Sequence, residues 1–115
     1  MNWNRIISED QLKVISEESV NHPVLIFKHS TTCPISSTAL NRLERNWNQE
    51  KAGNLKPYLL DLLSYRSVSD AIAEKFGVQH ESPQVIVIEN NDAVYNESHF
   101  GISFEDILGE LHRPD

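Results

Sequence analysis

Cysteine is almost missing from this chain, with Cys33 its single thiol. That scarcity excludes a disulfide within the chain and a zinc cluster built on cysteines, and any redox chemistry at Cys33 must draw its second sulfur from another molecule. Glycine is sparse and scattered, at Gly53, Gly77, Gly101 and Gly109, so no glycine-rich phosphate loop exists. Long apolar runs are also lacking. Residues 24–27 and 85–88 are too short to span a bilayer, and residues 1–5 lack the apolar core of a secretory signal. A membrane partner is therefore not expected, and the expected location is the cytoplasm, where an isolated thiol stays reduced. Positive charge is in deficit, with 10 Lys and Arg against 17 Asp and Glu and a formal net charge of -7. With no basic cluster, nucleic acid is excluded as a partner.

What is present is ordinary for a folded protein: 39% hydrophobic and 23% charged residues in a chain of 115. That length suits one domain over residues 1–115 with a single modest core. Ser8 and Gln11 read as a capping box ahead of Leu12 and Ile15, which predicts a helix to about Val20. The unbroken apolar run at residues 24–27 predicts a strand buried on both faces. Leu40, Leu43 and Trp47 recur at helical spacing, which predicts one long helix after Cys33 that stops at Ala52, Gly53 and Asn54. A second apolar run over residues 55–63 carries Pro57 near its start, as a strand allows.

Val68, Ile72 and Phe76 line a further helix that ends at Gly77. Residues 84–88 and 93–96, joined through Asn90, Asn91 and Asp92, predict a hairpin. Ser103 caps a last helix with Phe104, Ile107, Leu108 and Leu111 facing inward. Residues 3–7 leave an extra edge strand open. The order predicts an α/β, thioredoxin-like three-layer fold, with a mixed four-stranded sheet between helices.

Cys33 falls at the junction of the first strand and the long helix. There, helix-end amides and partial charge favour the thiolate, the attacking species in disulfide exchange. Thr31 and Thr32 form the approach and Pro34 suits the first helical turn. Ser36 stands where dithiol oxidoreductases carry a second cysteine. Its hydroxyl can donate to the thiolate but cannot resolve a disulfide, so exchange must be of the monothiol kind. In a thioredoxin-like fold the loop before the third strand lies beside the cysteine with its proline cis. Pro83 occupies that position, and Ser82 would hold a disulfide partner through strand-like backbone bonds.

His29 reads as a strand-end residue rather than a proton partner of Cys33. The remaining histidines, His22, His80, His99 and His112, show no metal-ligand spacing, and no metal is implied. Trp47 and Phe76 read as core, and Asp10, Glu17 and Glu18 as a solvated face.

The stretches FKHSTTCPIS at residues 27–36 and VQHESPQ at residues 78–84 together resemble the YtxJ-type monothiol bacilliredoxins over nearly the full chain. The resemblance implies a thioredoxin fold and a monothiol thiol-disulfide oxidoreductase that removes bacillithiol from S-bacillithiolated proteins. It implies no tightly bound cofactor, with bacillithiol as the thiol co-substrate. Cys33 would be the nucleophile, Pro83 the cis proline beside it, Ser82 the backbone clamp and Ser36 the replacement for a resolving cysteine. The malate group of bacillithiol suggests contacts from Lys28, Thr31, Thr32 and amides near Ser82. Glutathione is disfavoured, because Phe100, Gly101 and Ile102 replace the Gly-Gly pair by which glutaredoxins hold it. The alternative is a non-catalytic binding or redox-sensor module modified at Cys33. A one-cysteine peroxidase is disfavoured, since no arginine lies close to Cys33 in sequence.

Overall fold

A computed structural model describes residues 1–111. Its sheet has five strands in the order β1-β3-β2-β4-β5. At the centre, β2 (Val24–His29) pairs parallel with β3 (Lys56–Asp61) and antiparallel with β4 (Gln84–Glu89). Val24, Leu25, Ile26 and Phe27 are all fully buried, which explains why their run shows no polar alternation. The short β1 (Asn4–Arg5) pairs parallel with β3, and so the extra edge strand left open by the sequence is present. On the far side, β5 (Asp92–Ser98) pairs antiparallel with β4.

Because strand side chains alternate, β2 feeds two cores. Val24 and Ile26 join Leu60, Ile86 and Ile88 under α1 (Asp10–Glu18) and α4 (Arg66–Phe76), which contribute Leu12, Ile15, Val68 and Ile72. Leu25 and Phe27 join Leu59, Val85 and Val87 under α2 (Pro34–Asn46) and α5 (Phe104–Leu111), which contribute Ala39, Leu43, Phe104 and Ile107. The result is the expected three-layer α/β/α arrangement.

Local signals hold where a single residue decides the geometry. Gly77 ends α4 in the left-handed region, at φ 66°. Asn90 and Asn91 turn the β4–β5 hairpin with φ of 50° and 68°. The Ser103 hydroxyl accepts from the Asp106 amide at 3.3 Å at the start of α5. The capping box is half formed. Gln11 Oε1 reaches back to the amides of Ile7 and Ser8, while α1 has no side-chain bond at its N-cap, Glu9, and ends at Glu18 rather than Val20. The long helix after Cys33 is divided. Trp47 leaves helical geometry at ψ 129°, and Asn48 caps a separate α3 (Gln49–Ala52) by accepting from the Lys51 amide at 3.0 Å. Trp47 instead turns its ring against Phe104, centroids 4.9 Å apart.

Candidate functional site

Strand pairing brings the two sequence stretches of interest to one end of the sheet. Lys28 is opposite Gln84 in the β2–β4 register. The loop leaving β2 toward Cys33 and the loop entering β4 through Pro83 therefore share that end. A recess of about 550 Å³ lined by residues such as Met1, His22, Lys56 and Pro57 lies where β3 begins, at the other end of the parallel β2–β3 pair, and takes no part in this site.

Cys33 is the N-cap of α2, with extended backbone at φ -100° and ψ 117°. Its amide donates to the Ser30 carbonyl at 3.2 Å, and its carbonyl accepts from the Ser37 amide at 3.1 Å. A tight turn thus delivers the thiol to the helix end. The side chain is half-buried, between exposed Thr31, Thr32, Pro34 and Ile35. Pro34 occupies the first turn, where its missing amide hydrogen costs no helical bond.

Ser36 is fully buried and faces backward into the fold. Its Oγ accepts from the Ser30 amide at 3.0 Å and lies 2.7 Å from His29 Nδ1. The expected donation to a thiolate is replaced by this pairing, which fastens the Ser30 turn to α2. His29, at the end of β2, packs its ring edge-on to Phe27 at 6.1 Å. Burial lowers its pKa below the ordinary histidine value, against the opposing pull of Asp61.

Lys28 departs most from expectation. Instead of reaching a substrate carboxylate it is fully buried on the α4 face, and its Nζ donates to the Ser69 carbonyl at 3.1 Å and lies 3.3 Å from His80 Nδ1. β2 continues two residues past its apolar run, through Lys28 and His29, and α4 roofs the Lys28 side chain. Desolvation lowers its pKa from 10.5 to about 8, with Asp70 opposing.

The Ser82–Pro83 peptide bond is cis, as the sequence order implied. Pro83 is buried, and the buried Ser82 Oγ has no hydrogen-bond partner among the described residues. The Pro83 carbonyl accepts from the His99 amide at 3.0 Å. His99–Gly101 form a short 3-10 turn, a feature the sequence did not suggest. Arg42 of α2 donates to the carbonyls of Ile102, at 2.6 Å, and Phe100, at 3.4 Å. The turn therefore bridges the Pro83 loop to the helix that starts at Cys33.

Among the described residues no three His, Cys, Asp or Glu side chains gather as a metal ion would require, and His112 lies outside those residues. No described helix is long and apolar enough to cross a membrane. Sequence reasoning missed the His80–Ser69 contacts and the bridging 3-10 turn. For Lys28, the signal was its place as direct continuation of an unbroken buried run.

Comparison with known proteins agrees with this geometry. One solved structure, described as an oxidoreductase candidate with a thioredoxin fold, is 32% identical with a TM-score of 0.80, over 94% of this chain and 92% of that one. The thioredoxin of Malassezia sympodialis is 17% identical at a TM-score of 0.73, over 96% and 90% of the two chains. That of Fasciola hepatica is 12% identical at 0.70, over 97% and 99%. These last two share the fold alone. The family model for "Monothiol bacilliredoxin BrxC" matches residues 4–107, which include the Cys33 turn, Ser36 and the cis Pro83 loop, and the chain belongs to that monothiol bacilliredoxin family.

Proposed function

We propose that this protein removes bacillithiol from S-bacillithiolated client proteins. The observation that carries the reading is a solitary thiol, half-buried at the N-cap of α2, in a member of this family. The Cys33 thiolate attacks the bacillithiol sulfur of the client mixed disulfide. The client sulfur leaves as a thiolate, and Cys33 becomes joined to bacillithiol through a new S–S bond. The client is thereby reduced. A second thiol then attacks the Cys33-bound bacillithiol, supplies the reducing equivalents and returns Cys33 to its starting state. No second cysteine of this chain can do so.

Bacillithiol is thus a co-substrate, and no tightly bound cofactor is needed. The hydroxyls of exposed Thr31 and Thr32 are offered to its malate group, and the Ser82 backbone to the partner strand. Lys28, being buried, is withdrawn from that set. The cytoplasm supplies the reduced-thiol setting this chemistry needs.

Intact-mass spectrometry after exposure to oxidised bacillithiol, with glutathione disulfide beside it, tests the reading. Cys33 is expected to gain one bacillithiol and far less glutathione, and Cys33→Ser neither. With a bacillithiolated client and excess bacillithiol, release beyond one equivalent is expected. Release that stops at one equivalent would support the sensor alternative instead.

A further inference from the structure

The functional reading leaves one buried titratable group without a task. Lys28 is fully buried at the end of the sheet that carries the site, and its neighbours belong to two other segments. An ammonium has only donors, so His80 Nδ1, 3.3 Å away, must act as an acceptor. The ring is then neutral with its proton on Nε2. The Ser69 hydroxyl lies 3.3 Å from the same Nδ1, and the Ser69 carbonyl takes a second Lys28 donor at 3.1 Å.

His80 belongs to the loop that ends in the cis Ser82–Pro83 bond. That loop is held from behind at successive points. The Gln84 side chain, opposite Lys28 in the strand register, donates from Nε2 to the Gln79 carbonyl at 3.0 Å, and the His99 backbone amide donates to the Pro83 carbonyl at 3.0 Å. Lys28 supplies the fastening between them, and it is the one that carries charge.

We propose that Lys28 is a positioning residue, whose buried ammonium fastens the His80–Pro83 loop to β2 and α4 and so sets the geometry in which Cys33 meets its disulfide partner. A fully buried lysine is otherwise an unfavourable choice for a strand roofed by aliphatic side chains, since desolvation penalises the charge unless fixed acceptors receive it. Here they do. The same residue one step past the Val24 to Phe27 run reaches across to α4 and to the loop, which no aliphatic side chain could link by hydrogen bonds.

The fastening depends on protonation. Lys28 titrates at about 8, and His80 below the ordinary histidine value because of burial and the Lys28 charge. Asp70 and Arg66 on α4 and Glu81 in the loop also face this pair, Asp70 and Glu81 favouring the cationic form of His80 and Arg66 opposing it. Between the two titrations the pair is ammonium and neutral imidazole, the state in which the charge-assisted bond exists. Above about 8 the amine is neutral and its donors weaken.

This assignment rests on the reading that Cys33 exchanges disulfides, yet its test does not require bacillithiol. Full-length wild type, Lys28→Met and His80→Phe are compared by amide hydrogen exchange and by the rate of Cys33 with 2-hydroxyethyl disulfide. Both variants are expected to speed exchange at residues 79–82 about tenfold while helix amides hold steady. Both should slow the disulfide reaction about tenfold near neutral pH, as misplaced reacting groups do. The ratio of wild-type to variant rates should fall as pH rises through about 8. Should Lys28→Met fail to fold, the half-buried His80 gives the second variant. Folded variants with wild-type exchange and rates, or a ratio flat with pH, overturn the assignment. Inertness of the wild type toward oxidised bacillithiol alone would overturn the functional reading and leave this one standing.

Discussion

Ser36 shows how a motif position can keep its place and change its work. Its Oγ, itself fully buried, receives the buried Ser30 amide and meets Nδ1 of the half-buried His29. Removing the hydroxyl leaves a buried amide and a half-buried ring nitrogen without that partner, a loss of about 1 to 3 kcal/mol. Ser36→Ala is therefore expected to lower the urea midpoint while Cys33 still acquires bacillithiol, read by denaturation and intact mass. A variant as stable as the wild type would show the pairing to be dispensable. Cys33, Pro34 and Pro83 were legible because each sits at a junction of patterns, where an apolar run gives way to a helix or a strand begins. Lys28 was misread for the same reason. Its charge looked like the end of the buried run, whereas the β2–β4 register carries it one step further under α4. Register is a property of two strands, and within one strand its only trace was that Lys28 directly continues an unbroken apolar run.

At the scale of elements, positions whose backbone demands a particular residue were the readable ones. Asn90 and Asn91 both hold positive φ in the β4–β5 turn, a conformation Asn tolerates and Gly prefers. The Asn91 amide also donates to Ser19 Oγ at 2.8 Å, a backbone contact that survives any side-chain change. Asn91→Gly is thus expected to be neutral or stabilising by about 0.5 kcal/mol, and Asn91→Val destabilising by about 1 to 2 kcal/mol, because a β-branched residue resists that region. Thermal unfolding of the pair checks the order, and a more stable Val variant would contradict it. The division of α2 from α3 was unreadable from periodicity. Trp47 continues the apolar stripe of Leu40 and Leu43, so the pattern counts on through the break. What ends the helix is a tertiary contact, Trp47 on Phe104, together with the local cap at Asn48. Half of that signal lies more than fifty residues away in sequence.

For the whole molecule, the order of elements carried the fold, since a parallel crossover followed by a hairpin leaves few arrangements that bury both faces of β2. The same burial places titratable groups inside, and their signs shape how stability follows pH. His29 and His80 have pKa values below the usual 6.5 in the folded chain. As pH falls past about 6.5 the unfolded chain takes up protons first, and stability must decline. Lys28 acts on the alkaline side. It gives up its proton at about 8 when folded and at 10.5 when unfolded, so stability climbs across that interval. Tyr58 and Tyr95, raised above 10 chiefly by burial, oppose the climb only where tyrosines begin to ionise. Urea midpoints are therefore expected to rise from about pH 5 to 7 and again from about pH 7 to 9. Lys28→Met should remove the second rise and keep the first, somewhat reduced because the Lys28 charge no longer helps to hold the His80 pKa down. A midpoint that falls between about pH 7 and 9 in the wild type would mean that Lys28 does not keep its charge at the cost its burial implies.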